Sequence, residues 1–244
     1  QLTFFVTRKC NARCPFCFYL AGAEPPVAHD PELSLPEIER IAGGLGSLLW
    51  LAFSGGEPFL RRDLPEISRI FYRRNRPAIM LYPTNGLTPE LIAEQTERIL
   101  RDCPRSVIAV KLSLDGVGEA HDRLRGTPGG FAKVIETYER LAPLLDRYPQ
   151  FELGVNTVFC RANQDHMDGI ADFVARLKRI RTHTVSLVRG ELADAGYKQV
   201  DLGKYQRIAQ RLGDDQRRGV APVYAFRCAR LKAAQDIVQR RMIL

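Results

Sequence analysis

The chain has 244 residues, of which 45% are hydrophobic and 26% charged, and this composition is that of an ordinary globular protein. Its length allows a sizeable core without disulfides, so a bound metal would serve chemistry rather than folding. No apolar run approaches the ~18 residues that span a membrane, and no signal peptide is recognisable. The net charge is +8, but the basic residues are scattered and do not predict nucleic acid binding. We expect a cytoplasmic protein.

Short apolar runs alternate with amphipathic stretches over roughly the first 190 residues. Six runs are predicted strands: Leu2 to Thr7, Trp50 to Ser54, Ile79 to Pro83, Val107 to Leu114, Leu153 to Phe159 and Thr184 to Val188. Helices are predicted between them, beginning near Ser34, Asp63 and Thr88, spanning Phe131 to Leu145, and beginning again at Met167. This repeated βα unit predicts a parallel sheet covered by helices, although periodicity does not say whether the sheet closes.

The pattern changes after Glu191, and we place a boundary there. Residues 1–193 are the expected barrel domain and residues 194–244 a helical extension that leads into a missing domain. The chain starts at Gln1, almost within a strand, and stops within the helical stretch Lys232 to Leu244. We therefore expect the natural protein to extend beyond both ends.

Three of the six cysteines lie close together, with the spacing C-x3-C-x2-C: Cys10, Cys14 and Cys17. Iron–sulfur clusters take cysteine thiolates, usually four, so three would leave one iron open for a ligand. A zinc site or three free thiols are the alternatives, and zinc would need a fourth ligand, for which the nearest histidine is His29. The isolated cysteines at 103, 160 and 228 do not suggest a disulfide framework.

The cysteine loop, with the aromatic Phe16 just before the third cysteine, resembles the signature of the radical S-adenosylmethionine (SAM) superfamily. The resemblance implies a [4Fe–4S] cluster on the three cysteines, with the open iron chelated by the amino and carboxylate groups of SAM. One electron from the cluster would then cleave SAM to methionine and a 5′-deoxyadenosyl radical, which abstracts hydrogen from the substrate.

Two further motifs match the family in order. Gly55-Gly56-Glu57-Pro58 resembles the family's GGEP motif, which implies a contact with the SAM amino group. By themselves these residues equally describe a Gly-Gly turn with a helix-capping Glu. Thr84-Asn85-Gly86 resembles a TNG segment near the SAM pocket, and by itself reads as a turn.

A third pattern, Ser113-x-Asp115-Gly followed by His-Asp and Arg125-Gly, resembles a branch of peptide- and cofactor-modifying members. In that branch the serine and the arginine contact the SAM carboxylate, a role suited to a guanidinium, whereas the alternative for Arg125 is a surface charge. Asn156, inside the fifth strand, is either a ribose or adenine contact or a satisfied core residue. Arg189, at the end of the sixth strand, could face SAM or substrate.

The resemblance covers about Thr3 to Val188 and implies an α/β fold, a partial (β/α)6 TIM-like barrel open on one side. Branch members often carry a SPASM or twitch domain, whose cysteine-rich signature does not occur in this sequence.

The implied partners are a peptide or small-molecule substrate and an electron donor such as flavodoxin or ferredoxin. Three functions follow as hypotheses: hydrogen abstraction, transfer of a methyl or adenosyl group, or non-catalytic metal binding by the cysteines.

Overall fold

The computed structural model describes residues 1–19 and 32–219, which form one six-stranded parallel sheet with helices packed on it. Its strands are β1 (Leu2–Thr7), β2 (Trp50–Gly55), β3 (Ile79–Thr84), β4 (Val107–Ser113), β5 (Phe151–Phe159) and β6 (Thr182–Leu187). They lie in chain order from β1 to β6, and each neighbouring pair is parallel. Because β1 and β6 form opposite edges, the sheet is open, and the predicted partial (β/α)6 barrel is confirmed.

Eight helices accompany the strands in the described ranges: α1 (Leu35–Gly43), α2 (Leu64–Asn75), α3 (Pro89–Asp102), α4 (Glu119–Arg125), α5 (Gly130–Leu141), α6 (Leu144–Arg147), α7 (Met167–Arg176) and α8 (Leu202–Gly219). The stripe predicted as one helix from Phe131 to Leu145 is two helices, because Pro143 lacks an N–H and interrupts the backbone ladder. Helix α4 was not predicted, since seven residues are too few to show a helical period.

The core lies between one face of the sheet and the helices. Phe53 of β2 stacks on Tyr82 of β3 with ring centroids 4.8 Å apart, and Phe71 of α2 meets Phe53 edge-on at 6.0 Å. The buried Tyr82 hydroxyl donates a hydrogen bond of 2.8 Å to Ser68 Oγ. A buried hydroxyl without a partner would be costly. This bond therefore allows Tyr82 to be fully buried in the close-packed layer.

Helix α8 packs on the same core, to which it contributes the buried side chains of Ile208 and Leu212. The predicted boundary at residue 193 stays a prediction. The helix expected over Lys232 to Leu244, and Cys228, lie outside the described residues. Across 1–19 and 32–219, no helix is both long enough and apolar enough to cross a membrane.

Candidate cofactor site

A cavity of about 190 Å³ opens at the carboxyl edge of the sheet, where parallel barrels build their active sites. The loops after β1, β2 and β3 and the end of β4 form most of its wall. The lining residues are Cys10, Ala12, Cys14, Cys17, Phe18, Tyr19, Ser54, Gly55, Gly56, Glu57, Pro83, Thr84, Asn85, Ser113 and Arg125. Parallel strands bring segments more than 100 residues apart in the sequence to this one place.

The three clustered cysteines share this cavity as partly buried thiols. The loop is a tight turn, in which Cys17 N donates to Cys14 O at 3.0 Å and Ala12 N approaches Cys10 Sγ at 3.4 Å. Burial raises the pKa of Cys10 and of Cys14, and the nearby Arg125 guanidinium opposes that shift by favouring the thiolates. Cluster ligation needs thiolates, so this cation suits the chemistry of the donor set.

Within the described ranges, no three His, Cys, Asp or Glu side chains converge as the ligands of a single metal ion do. A cubane cluster places each cysteine on a different iron, so it needs three thiols around a shared space rather than around one point. The placement of Cys10, Cys14 and Cys17 around one cavity is the arrangement that such a cluster would need.

Gly55 and Gly56 let the loop after β2 lie directly against the chain that enters the cysteine loop. A Cβ atom at Gly55 would be 2.1 Å from Thr7 O, and one at Gly56 would be 2.1 Å from Lys9 O. Gly55 also has φ +124°, which favours glycine. Two backbone hydrogen bonds join the segments, Gly56 N to Thr7 O at 2.9 Å and Glu57 N to Lys9 O at 2.8 Å. The two glycines thus fix the position of the cysteine loop as well as lining the cavity.

Glu57 connects the ends of β2 and β3 through a fully buried carboxylate. Its Oε1 accepts hydrogen bonds from Thr84 Oγ1 at 2.8 Å and from Phe59 N at 3.2 Å, while Oε2 accepts from Asn85 N at 2.6 Å. Burial raises its pKa to about 7, although these three donors and Arg125 favour the charged form. Glu57 thus caps the short helical turn that follows it, as its sequence position suggested, and also forms part of the cavity wall.

Arg125, from the end of α4, places its guanidinium beside the cysteine loop. Its Nη1 donates to Asp115 Oδ2 at 2.6 Å, and its Cζ lies 5.9 Å from the centre of the Phe16 ring. Asp115 Oδ1 accepts from Val158 N at 2.7 Å, so both carboxylate oxygens are occupied. Burial raises the pKa of Asp115, and the Arg125 cation opposes that shift. The alternative of a surface charge for Arg125 is wrong, because only 11% of the side chain is exposed and it is paired with Asp115.

The His-Asp pair of the third pattern supports the backbone of Asp115 and the start of α5. His121 Nδ1 accepts a hydrogen bond from Asp115 N at 3.2 Å, and burial lowers the pKa of His121 to about 4, which keeps the ring neutral. Asp122 accepts from Gly129 N and Phe131 N, both at 2.7 Å, and so caps the start of α5.

The structure brings ten of the predicted site residues onto one cavity: the three cysteines, Gly55, Gly56, Glu57, Thr84, Asn85, Ser113 and Arg125. Five predicted residues lie elsewhere. Asp115 and Phe16 lie against Arg125, and Pro58 is buried in the short 3-10 turn that follows Glu57. Asn156 is in register with Ser113, and its Oδ1 accepts from Thr184 Oγ1 and Ser186 Oγ. Arg189 lies over the Phe18 ring at 5.3 Å.

Five lining residues were not predicted: Ala12, Phe18, Tyr19, Ser54 and Pro83. Phe18 and Tyr19 directly follow the third cysteine, so proximity in sequence is the signal that would have found them. Ser54 and Pro83 are the next-to-last residues of β2 and β3, and strand alternation would have suggested their place on the cavity side.

The chain is similar to known proteins of one superfamily. Residues 4–174 match the family model described as the radical SAM superfamily, and the chain belongs to that superfamily. Members use a [4Fe–4S] cluster and SAM, which are therefore the cofactors of this chain. It is a radical SAM enzyme, and the hypothesis of a non-catalytic metal-binding protein is set aside.

Its curated relatives carry several activities. A probable GTP 3′,8-cyclase of Archaeoglobus fulgidus is 34% identical over 225 residues, covering 86% of this chain and 68% of the relative. An AdoMet-dependent heme synthase of Methanosarcina barkeri is 27% identical, covering 96% and 65%. A PqqA peptide cyclase of Rhodopseudomonas palustris is 30% identical, covering 75% and 45%. The chain thus spans only part of several relatives, down to 31% of an Fe-coproporphyrin III synthase.

Solved structures share the fold. Streptococcus suis SuiB superimposes with a TM-score of 0.63 at 19% identity, covering 90% of this chain and 47% of SuiB. The enzyme anSMEcpe with bound AdoMet gives a TM-score of 0.60 at 20% identity, covering 87% and 57%.

Proposed function

We propose that this protein cleaves SAM reductively and abstracts a hydrogen atom from a peptide or small-molecule substrate. When bound, the [4Fe–4S] cluster supplies the electron that converts SAM to methionine and a 5′-deoxyadenosyl radical. The observation that supports the proposal is that Cys10, Cys14 and Cys17 share one cavity with Glu57 and Arg125. A set of thiols, a carboxylate and a guanidinium matches a cluster and an amino acid moiety.

Arg125 and Ser113 are the residues proposed to bind the SAM carboxylate. Asp115 and Phe16 both contact the guanidinium of Arg125 and so fix its orientation. The remaining N–H groups of Arg125 therefore point in a fixed direction. A guanidinium that is held in place loses little freedom on binding, and a carboxylate is its best-matched partner.

Glu57, with the backbone of Gly55 and Gly56, is proposed to bind the SAM amino group. The donors from Thr84, Asn85 and Phe59 favour the carboxylate form of Glu57, and a bound ammonium group would favour it further.

The adenosyl part of SAM is assigned to the sheet wall beyond Ser113. Asn156 lies there in register with Ser113, and because its Oδ1 already accepts two hydrogen bonds, its amide nitrogen is the group that could donate to a ribose or adenine. Arg189, in the loop after β6, is proposed to contact SAM or substrate from the same side.

The first test is anaerobic reconstitution with iron and sulfide, followed by dithionite, SAM and detection of 5′-deoxyadenosine. We expect a brown protein that forms 5′-deoxyadenosine. Cys14→Ala should lose both colour and product, whereas Cys103→Ala, which removes a buried thiol that does not line the cavity, should keep both. Arg125→Ala should retain iron but bind SAM more weakly. A wild-type protein that takes up no iron would contradict the ligand assignment.

The mass of the substrate after turnover separates hydrogen abstraction from group transfer, because a transferase adds a methyl or adenosyl group. An electron donor such as flavodoxin or ferredoxin and a cytoplasmic location complete the proposal, since a reduced cluster with open thiolate ligands suits a reducing compartment.

A further inference from the structure

The strand that enters the cysteine loop changes register just before the loop begins. Phe5 pairs with Ser54, and Thr7 pairs with the next residue of β2, Gly55, so Val6 is an extra residue without a partner on that strand. An extra residue in one strand of a pair bends that strand. The direction in which the chain leaves β1 is therefore set at Val6, just ahead of the first cysteine.

The carbonyl of this extra residue is bound by a buried arginine. Arg61 Nη1 donates to Val6 O at 2.8 Å, and only 6% of the arginine side chain is exposed. Nη2 of the same guanidinium donates to Leu33 O. Val6 precedes the three clustered cysteines and Leu33 follows them, so one guanidinium joins the two ends of the segment that carries the thiols.

The guanidinium is held in this position by Asp63. The Oδ1 atom of Asp63 accepts from Arg61 Nε at 2.8 Å and Oδ2 accepts from Arg61 Nη2 at 3.2 Å, a bidentate pair that fixes the plane of the guanidinium. Asp63 occupies the N-cap position of α2, where an aspartate commonly accepts a hydrogen bond from the first turn, yet it makes no such bond. Its carboxylate is therefore directed to the arginine rather than to the helix.

A second link joins the same two chain ends one residue closer to the cysteines. Thr7 Oγ1 donates to Glu32 Oε1, and the same hydroxyl accepts from Lys9 N at 3.0 Å. Lys9 Nζ also lies 3.8 Å from Glu32 Oε2. Holding the ends of a segment together removes conformational freedom that ligand binding would otherwise have to remove. These contacts therefore preorganise the segment before a cluster binds.

Arg61 also belongs to the turn that presents Glu57 to the cavity. Its backbone N donates to Pro58 O at 3.1 Å, and its carbonyl accepts from Leu64 N at 3.1 Å and from Gln95 Nε2 at 3.4 Å. The same short turn therefore carries two groups with linked tasks. One is the carboxylate proposed to bind the SAM amino group, and the other is the guanidinium that joins the ends of the cysteine segment.

We propose that Arg61 is a positioning residue for the cluster, because it holds both ends of the segment that carries Cys10, Cys14 and Cys17 at a fixed place relative to Glu57. The inference rests on the proposed function, in which the three thiols bind the cluster and Glu57 binds the SAM amino group. Arg61 binds two carbonyls and one carboxylate at once, which suits the planar guanidinium with its five donors and which a lysine ammonium does not match.

The first measurement is the rate at which iodoacetamide alkylates each cysteine of the cluster-free protein, resolved by mass spectrometry of its peptides. Arg61→Met should raise the rates of the three clustered cysteines by about tenfold, the effect of losing one hydrogen bond to a charged group. Arg62→Met, the same change at the exposed neighbouring residue, should leave them at the wild-type values. The buried Cys103, which does not line the cavity, is the internal reference and should react equally in every variant.

Two further variants separate the parts of this arrangement. Asp63→Asn keeps the arginine but removes the charge that orients it, and it should raise the same three rates by a smaller factor. Arg61→Lys should resemble Arg61→Met, since one ammonium does not replace the fork. In the reconstituted protein, Arg61→Met should also lose iron to a chelator faster than Arg62→Met and should bind SAM more weakly.

Equal alkylation rates of the clustered cysteines in Arg61→Met and Arg62→Met would overturn the proposal. A parallel rise at Cys103 would show that the whole fold had loosened, and it would overturn the proposal as well. Because alkylation requires neither cluster nor SAM, a wild-type protein that forms no 5′-deoxyadenosine would refute the proposed function while leaving this test readable.

Discussion

The pair formed by Asp115 and Arg125 offers the sharpest test of how the site is supported. Asp115 is fully buried, and its two oxygens accept from Arg125 Nη1 at 2.6 Å and Val158 N at 2.7 Å. Asp115→Asn keeps the shape of the side chain but replaces one of its two acceptor oxygens with a donor NH2 group. If the amide oxygen accepts from Val158, the NH2 group faces the guanidinium, so the buried cation loses its counter-charge.

Removing one partner of a buried ion pair costs about 3–5 kcal/mol, because the other charge stays buried and uncompensated. A loss of about 3 kcal/mol lowers the ratio of folded to unfolded protein by about 150-fold at 25 °C. We expect a value near the lower limit, since the asparagine can still accept one hydrogen bond. Arg125 would also be less well held, so SAM should bind more weakly.

The measurement is equilibrium urea unfolding of the cluster-free protein, followed by circular dichroism, together with SAM binding to the reconstituted protein. Asp146→Asn is the matched control, because Asp146 pairs with Arg179 at an exposed position, where an ion pair contributes at most about 1 kcal/mol. If both variants lose the same stability, or if Asp115→Asn unfolds within about 0.5 kcal/mol of wild type, the support assigned to this pair is refuted.

Three further outcomes are expected. Gly56→Ala should reduce cluster uptake, measured by iron content, because its Cβ would meet Lys9 O at 2.1 Å and displace the cysteine loop, whereas Gly169→Ala, with open space at its Cβ, should not. Cys14→Ala should retain the far-ultraviolet circular dichroism of wild type while losing cluster absorbance, and a brown, active variant would contradict its role. For Glu152, whose pKa is raised to about 7, the folded state binds its proton more tightly than the unfolded state. Wild-type stability should therefore decline relative to Glu152→Gln as the pH rises from about 4.5 to about 7, and a difference independent of pH would count against the raised pKa.

Local pattern was enough to predict the six parallel strands, their order of appearance and most of the helices. Alternation and helical periodicity depend only on residues close together in the chain, so they can be recognised in the sequence. The cysteine loop was predicted for a similar reason, because its three cysteines lie within eight residues. Pro143 shows the limit of periodicity, since the apolar stripe continues across a proline that divides the helix.

Tertiary structure decided which polar residues face the cavity and which support them. Asp115 and Arg125 belong to one motif, yet only Arg125 lines the cavity, because the peptide N–H of Val158, 43 residues further on, holds the carboxylate behind it. Glu57 reads in the sequence as a helix-capping residue, and its place in the cavity wall depends on Thr84 and Asn85 at the end of another strand. Sequence patterns report on contacts between neighbours in the chain, whereas these contacts form only when distant strands pair in a single register.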